Sequence, residues 1–428
     1  MQIHVVQQGD SVYSIADLYD STPTDIIEAN ELETPGDLVI GQALVIPIVG
    51  QFYYVQEGDS LSTIAQQFNT TAEKLAQVNG ISKDSSLPVG LRLYIPEQPP
   101  SPITANAYIE PYGGEVSDTL QSSAENRAAK LTYLAPFSYE IQEDGSLKPP
   151  PLDNFKEIAE KNDATLMMVV TNLAEEGFSD ELSRKILESD SLQNTLLDNI
   201  IQTTKELGFK DVHFDMEFLP PDMKESYNQF LRKAKKRLSN EGLLMSTALA
   251  PKSSADQKGA WYEAHDYKAH GEIVDFVVLM TYEWGYSGGP PRAVAPIGPV
   301  TEVVDFALSV MPADKILLGQ NLYGYDWTLP YEPGGEFAKA VSPQRAIQIA
   351  RENNVEISYD EKEQAPYFTY TSSSGEKHEV WFEDARSIQK KFDLIKDRGL
   401  LGISYWKLGL AFPQNWVLLE NQFSITKS

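Results

Sequence analysis

No cysteine occurs among the 428 residues, so neither a disulfide framework nor a thiolate metal site is open to this chain. Positive charge is scarce: 35 Lys and Arg stand against 62 Asp and Glu, a formal net charge of -27. That imbalance repels phosphate backbones and anionic bilayers, which argues against nucleic acid and membranes as partners and favours a neutral or weakly charged substrate. Histidine is rare: of the five (His4, His213, His265, His270, His378), only His265 and His270 lie close in sequence, at a spacing that makes no convincing metal pair. No metal or cofactor is expected. Apolar runs never approach the ~20 residues of a membrane span. The start of the chain, Ile3-His4-Val5-Val6-Gln7-Gln8-Gly9, lacks the basic opening and apolar stretch of a secretory signal, so a route other than a cleaved signal is expected.

What is present is enough for a large core, with 42% hydrophobic and 10% aromatic residues. The first hundred residues are a tandem repeat. Sliding the chain on itself by 49 residues aligns Gly9-Asp10-Ser11 with Gly58-Asp59-Ser60, Ile15-Ala16 with Ile64-Ala65, Asn30 with Asn79, Gly41 with Gly90 and Pro47 with Pro96. Each copy reads as strand, helix, helix, strand, with the Asp-Ser pair at a helix start and the Asn near the end of the second helix. The units are expected at residues 2–48 and 52–97, followed by a Pro-rich linker at 98–103 and a single large domain over 104–428.

The pattern V-x-x-G-D-S-x-x-x-I-A, a later Asn and G-x-x-L-x-I-P resembles the LysM module. That resemblance implies binding to N-acetylglucosamine-containing glycans such as peptidoglycan or chitin. It points to Gly9, Asp10, Ser11 and Asn30, and to Gly58, Asp59, Ser60 and Asn79, as the glycan-binding neighbourhoods. The same residue types also serve as turn glycines and helix caps, so a purely structural role is the competing reading.

Beyond the linker, apolar strand-like runs alternate with amphipathic helices. Strands are expected at Leu131 to Phe137, Thr165 to Thr171, Val212 to Phe218, Leu244 to Ala250, Val274 to Thr281, Ile316 to Leu322, Glu356 to Tyr359 and Gly402 to Trp406, which suggests a (β/α)8 barrel of the α/β class. Phe230, Ala234 and Leu238 repeat at helical spacing, and the Lys and Arg around them read as a solvated helix face. A hairpin is expected from Tyr367 to Phe382, placed to wall a cleft. Working residues in such barrels sit at C-terminal strand ends. That rule selects Asn172, Asp215, Glu217, Tyr282, Glu283, Trp284, Gln320, Asn321, Tyr323, Tyr325 and Trp406, an acidic, amide and aromatic set suited to sugars. The third of these runs, Asp211 to Phe218, puts Asp211, His213, Asp215 and Glu217 on one face at period two.

This run resembles the DxxDxDxE strand of family 18 glycoside hydrolases, Met280-Thr281-Tyr282-Glu283 resembles the family's M-x-Y-D, and Tyr405-Trp406 falls where the family has its last-strand Trp. Three positions depart: His213 and Lys210 stand where the family has Asp, and Glu283 replaces the Asp after Tyr282. The resemblance implies a retaining N-acetylglucosaminidase whose substrate supplies the nucleophile. Glu217 would be general acid and base, Asp215 would hold the acetamido group, Tyr282 would steady its oxygen, and Asp211 and His213 would support them, His213 through a hydrogen bond to Asp215. With the twin LysM units, the chain resembles the cortex-lytic glucosaminidases of endospore-forming bacteria, which implies spore cortex peptidoglycan as substrate, a location in the coat and cortex region, and a monomer. Competing expectations are a chitinase and a barrel that binds glycan without cutting it.

Overall fold

The computed structural model describes residues 1–83 and 85–427. In the first repeat, β1 (Gln2–Val5) pairs antiparallel with β2 (Ala43–Ile46), and α1 (Val12–Tyr19) and α2 (Pro23–Asn30) pack against them through Val12, Ile15, Ile26, Leu44 and Ile46. The Gly-Asp-Ser run starts a helix because Ser11 and Ser14 form a reciprocal capping box. The second repeat follows the same order: β3 (Gln51–Tyr54), α3 (Leu61–Gln67), α4 (Ala72–Val78) and β4 (Arg92–Ile95), with Ser60 and Thr63 repeating the box.

The remainder is a closed barrel. Its eight parallel strands are β5 (Ser101–Ile109), β6 (Tyr133–Pro136), β7 (Thr165–Thr171), β8 (Asp211–Asp215), β9 (Leu244–Leu249), β10 (Phe276–Leu279), β11 (Ile316–Asn321) and β12 (Gly402–Trp406). Hydrogen bonding runs around the ring in that order, and β12 returns to β5. Alternation along the strands sends Met167, Val169, Val278 and Leu317 into the interior and Val170, Val212, Leu279 and Leu318 outward under the helices. The helix Lys224–Asn240 buries Phe230, Ala234 and Leu238, while Lys233, Lys235 and Arg237 pair with Asp190, Asp275 and Asp198.

Two strand expectations need correction. Ser101 to Ile103 is the opening of β5, not linker; Pro102 is tolerated there because the strand has only begun and the missing N–H falls at its exposed end. The segment around Glu356 to Tyr359 is no barrel strand: Ser358–Asp360 is the edge of an antiparallel five-stranded sheet inserted between β11 and β12. That sheet runs in the order Lys339–Val341, Gly324–Leu329, Lys377–Trp381, Ala365–Thr371, Ser358–Asp360. It includes the expected hairpin, Ala365–Thr371 with Lys377–Trp381. Its own core of Val341, Ile347, Ile357, Phe368 and Val380 also takes in Val39 of the first repeat.

Candidate active site

The strand ends of the barrel surround a cleft of about 390 Å³ lined by Tyr108, Glu110, Tyr112, Phe137, Asp215, Glu217, Trp261, Met280, Tyr282, Glu283, Tyr323, Tyr325, Trp406 and Lys407, among others. Asp215 is the last residue of β8, and Glu217 follows where the strand has ended; Phe218, at φ +53°, turns the chain away. The alternation expected through Phe218 therefore stops early, and Phe218 is 44% exposed, stacked on Trp261 at 6.2 Å between centroids.

Glu217 is held from two sides. Its backbone N–H donates to Asn172 Oδ1 and its carbonyl accepts from Asn172 Nδ2, both at 2.9 Å. Trp261 Nε1 donates to its Oε2 at 2.5 Å. Burial, then the like charge of Asp215, push the Glu217 carboxyl well above the usual carboxylate range, and Glu283 adds to this while the Trp261 N–H opposes it. Burial likewise pushes Asp215 up to about 7. The buried Oδ1 of Asp215 accepts no hydrogen bond from any described residue, an unsatisfied acceptor of the kind that folds tolerate where function requires it. Tyr282 is almost fully buried yet lines the cleft, and Trp406 forms its floor with Tyr108 and Phe137, at 5.3 and 4.8 Å between centroids. Glu283 takes hydrogen bonds from the hydroxyls of Tyr323 and Tyr325, which offset part of the upward push of its burial.

Below this layer His213 is fully buried. It bonds Tyr108 Oη through Nε2 and Ser246 Oγ through Nδ1, each at 2.8 Å, and Ser246 donates to Asp211 Oδ1 at 2.6 Å. Burial lowers His213 to about 3, so the ring is neutral at working pH. With Ser246 donating to Asp211, the proton lies on Nδ1, and Nε2 accepts from Tyr108. The expected His213–Asp215 bond is thus replaced by a chain through Tyr108, Ser246 and Asp211.

A family model for glycosyl hydrolases family 18 matches residues 107–411, and one for the LysM domain matches residues 4–47 and 53–96. The chain belongs to glycosyl hydrolases family 18. It is 62% identical over 427 residues to the cortical fragment-lytic enzyme of Bacillus subtilis, covering 100% of this chain and 99% of that protein. The crystal structure of the Bacillus megaterium spore cortex-lytic enzyme SleL superposes at a TM-score of 0.90 with 53% identity, covering 100% of this chain and 99% of that one. A chitinase from Chromobacterium violaceum matches at a TM-score of 0.69 and 22% identity over 75% of this chain and 98% of its own, a likeness of fold.

Within this family 18 barrel, four residues expected to touch substrate face elsewhere. Asn172 is fully buried and also bonds Ser179 and Ser183, so its amide is spent on positioning Glu217. Gln320 and Asn321 are buried and bond each other and the Tyr323 carbonyl. Trp284 packs, partly buried, against the hydrophobic core and is not among the residues that line the cleft. The hairpin does not line the cleft; that wall comes from Tyr325 and Ala340 on the neighbouring strands. In the repeats, Asn30 and Asn79 are consumed by the backbone of residues 26 and 45 and of 75 and 94. Asp10 and Asp59 accept the Gln7 and Gln56 N–H groups, both at 2.7 Å, Ser11 and Ser60 cap, and Gly9 and Gly58 hold φ near +90°. These bonds give each of them a structural role in its repeat, while Gly9, Ser11, Gly58 and Ser60 remain exposed.

The residues that sequence reasoning missed have traceable causes. Tyr108 lies in β5, the strand hidden behind the Pro-rich run, and Glu110 and Tyr112 follow it. Trp261 lies eleven residues past Ala250 in the loop after β9, and a search extended along that whole loop for aromatic residues would have found it. Among the described residues no group of His, Cys, Asp and Glu is arranged to hold a metal, and no helix is long and apolar enough to cross a membrane.

Proposed function

We propose that the protein cleaves N-acetylglucosaminyl bonds of spore cortex peptidoglycan with retention, using the substrate's own acetamido group as nucleophile. The observation that carries this reading is the pairing at one strand end of Glu217, whose carboxyl is pushed up by burial and by Asp215, with Asp215, whose buried Oδ1 is unpartnered. Protonated Glu217 gives its proton to the leaving oxygen. The acetamido carbonyl oxygen closes on C1 as the glycosidic bond breaks, giving an oxazolinium ion. Asp215 accepts the acetamido N–H and balances the positive charge, Tyr282 orients the acetamido oxygen, and Trp406 presents an apolar face to the ring. Glu217, now ionised, takes a proton from the water that reopens the oxazolinium ion. Glu283, Tyr323 and Tyr325 form the polar wall beside this position.

The cortex assignment is supported by the names of whole-length relatives, a cortical fragment-lytic enzyme at 62% identity and two spore cortex-lytic enzymes at 53% and 49%. Glycan-binding repeats joined to the barrel would raise the local concentration of the cleft on an insoluble polymer. On this reading the protein acts at the spore cortex, as a monomer.

The test is the rate of reducing-end release from cortex fragments. Glu217→Gln should lower turnover by about two to four decades, the size of general acid catalysis. Fragments deacetylated at the glucosamine nitrogen should resist the wild-type enzyme; cleavage of them at an undiminished rate would exclude substrate assistance.

A further inference from the structure

The two repeats share a fold but not an environment. In the first, the stretch between α2 and β2, residues 31–42, is pinned to the catalytic body, with Leu32, Val39 and Gln42 buried while Glu31, Glu33, Thr34, Gly36 and Asp37 keep an exposed side. Arg127 donates to the Glu31 carboxylate and Gln344 to the Glu31 carbonyl, at 3.0 and 2.9 Å. Gln348 donates to Glu33 at 2.7 Å, Arg351 to the Asp37 carbonyl at 3.0 Å, the Ile357 N–H to the Ile40 carbonyl at 2.9 Å, and Arg386 to the Gly41 carbonyl at 3.1 Å. Val39 lies in the core of the inserted sheet, and Ala43 and Val45 lie in the core around the barrel. In the matching stretch of the second repeat, 49 residues on, Pro88 and Gly90 are exposed and Val89 is 67% exposed.

The two matching glycines make the difference sharp. Gly41 and Gly90 have φ of +84° and +85°, the same left-handed turn. A Cβ on Gly41 would lie 1.8 Å from the Ile357 carbonyl oxygen, whereas on Gly90 it would meet nothing within 4 Å. The turn needs both glycines; only in the first repeat does close backbone approach to the barrel domain need one as well.

We infer that the repeats have divided the work: the first is a fixed part of the catalytic body, bracing the insertion that walls the cleft, and the second alone presents this edge to an N-acetylglucosamine-containing glycan. The inference rests on the reading of the repeats as glycan-binding modules. Undocking the first would break all six hydrogen bonds and uncover Val39, Ala43 and Val45 together, which a single weak sugar contact does not offset. The second repeat needs no rearrangement to meet a polymer strand.

Hydrogen exchange on the full-length Glu217→Gln protein tests this, with soluble N-acetylated cortex fragments at a concentration that slows exchange around Trp261 in the cleft. Amides of 85–91 should slow at least threefold on adding glycan, while those of 31–42 are already slow and do not change. Glycan-dependent slowing in 31–42, fast exchange there in the free protein, or slowing in the cleft alone would each overturn the inference. Independently, Val89→Asp should reduce retention on insoluble cortex peptidoglycan at least fivefold while hydrolysis of soluble fragments stays within twofold; full retention would overturn it. Failure of the hydrolase reading is distinguishable, because the wild-type protein would then release no reducing ends from the same fragments.

Discussion

At the scale of the residue, Glu217 must be protonated to begin the reaction and ionised to finish it, so its environment has to hold the two forms close in free energy. Burial and Asp215 favour the acid; the Trp261 N–H favours the carboxylate. Removing that N–H with Trp261→Phe keeps an aromatic ring against Phe218 but leaves the carboxylate less stabilised, so the Glu217 pKa rises further. The general acid works only while protonated, and its pKa sets the alkaline limb of kcat/KM. That limb is expected to move to higher pH in the variant, as measured by the pH profile on soluble fragments; a move to lower pH would contradict the assignment. His213 contributes no limb of its own between pH 5 and 8, because burial holds it neutral down to about 3.

At the scale of the element, β8 shows how far residue pattern reaches. Period-two alternation in Asp211 to Asp215 was legible because a strand has no other way to place its side chains, and it led directly to Asp215 and Glu217. The end of the strand was not legible, since Met216, Glu217 and Phe218 continue the alternation in letters while the chain turns at Phe218, φ +53°. Similarly, a rule about strand ends selects residues by position and cannot tell an amide that meets substrate from one that holds a neighbour. Asn172 is the second kind: it reads as a ligand in sequence, yet both backbone groups of Glu217 close on its side chain. Asn172→Ala should therefore lower kcat by about 10- to 100-fold through misplacement of Glu217, with KM little changed, in steady-state kinetics on soluble fragments. A large rise in KM with kcat intact would mean that Asn172 binds sugar after all. The missed β5 has a different cause: Pro99, Pro100 and Pro102 signal a linker locally, whereas Ser101–Ile103 is a strand through its pairing with Phe423–Ile425, and the rest of β5 through its pairing with β12 and β6.

At the scale of the whole molecule, the repeat, the barrel and the insertion are one packed body at the first LysM unit. The 49-residue repeat was visible in sequence because two copies of one fold keep the same caps and turns; their different surroundings were not, because the partners of residues 31–42 lie some 100 to 350 residues further along the chain. Thermal unfolding of the two glycine variants reads this difference. Gly90→Ala should cost about 1–2 kcal/mol, the penalty of a left-handed alanine, whereas Gly41→Ala should cost more, because the Ile357 backbone must also retreat. Equal losses would mean that the first repeat is not docked in solution.

Which bond is cut, and by what route, is addressed most directly by mass spectrometry of borohydride-reduced products from purified cortex fragments. N-acetylglucosaminitol at the newly formed ends is the predicted result. New ends terminating in reduced muramic acid would show that the enzyme cuts the other linkage of the polymer, and would contradict the assignment of the N-acetylglucosaminyl bond as the one that Glu217 and Asp215 cleave.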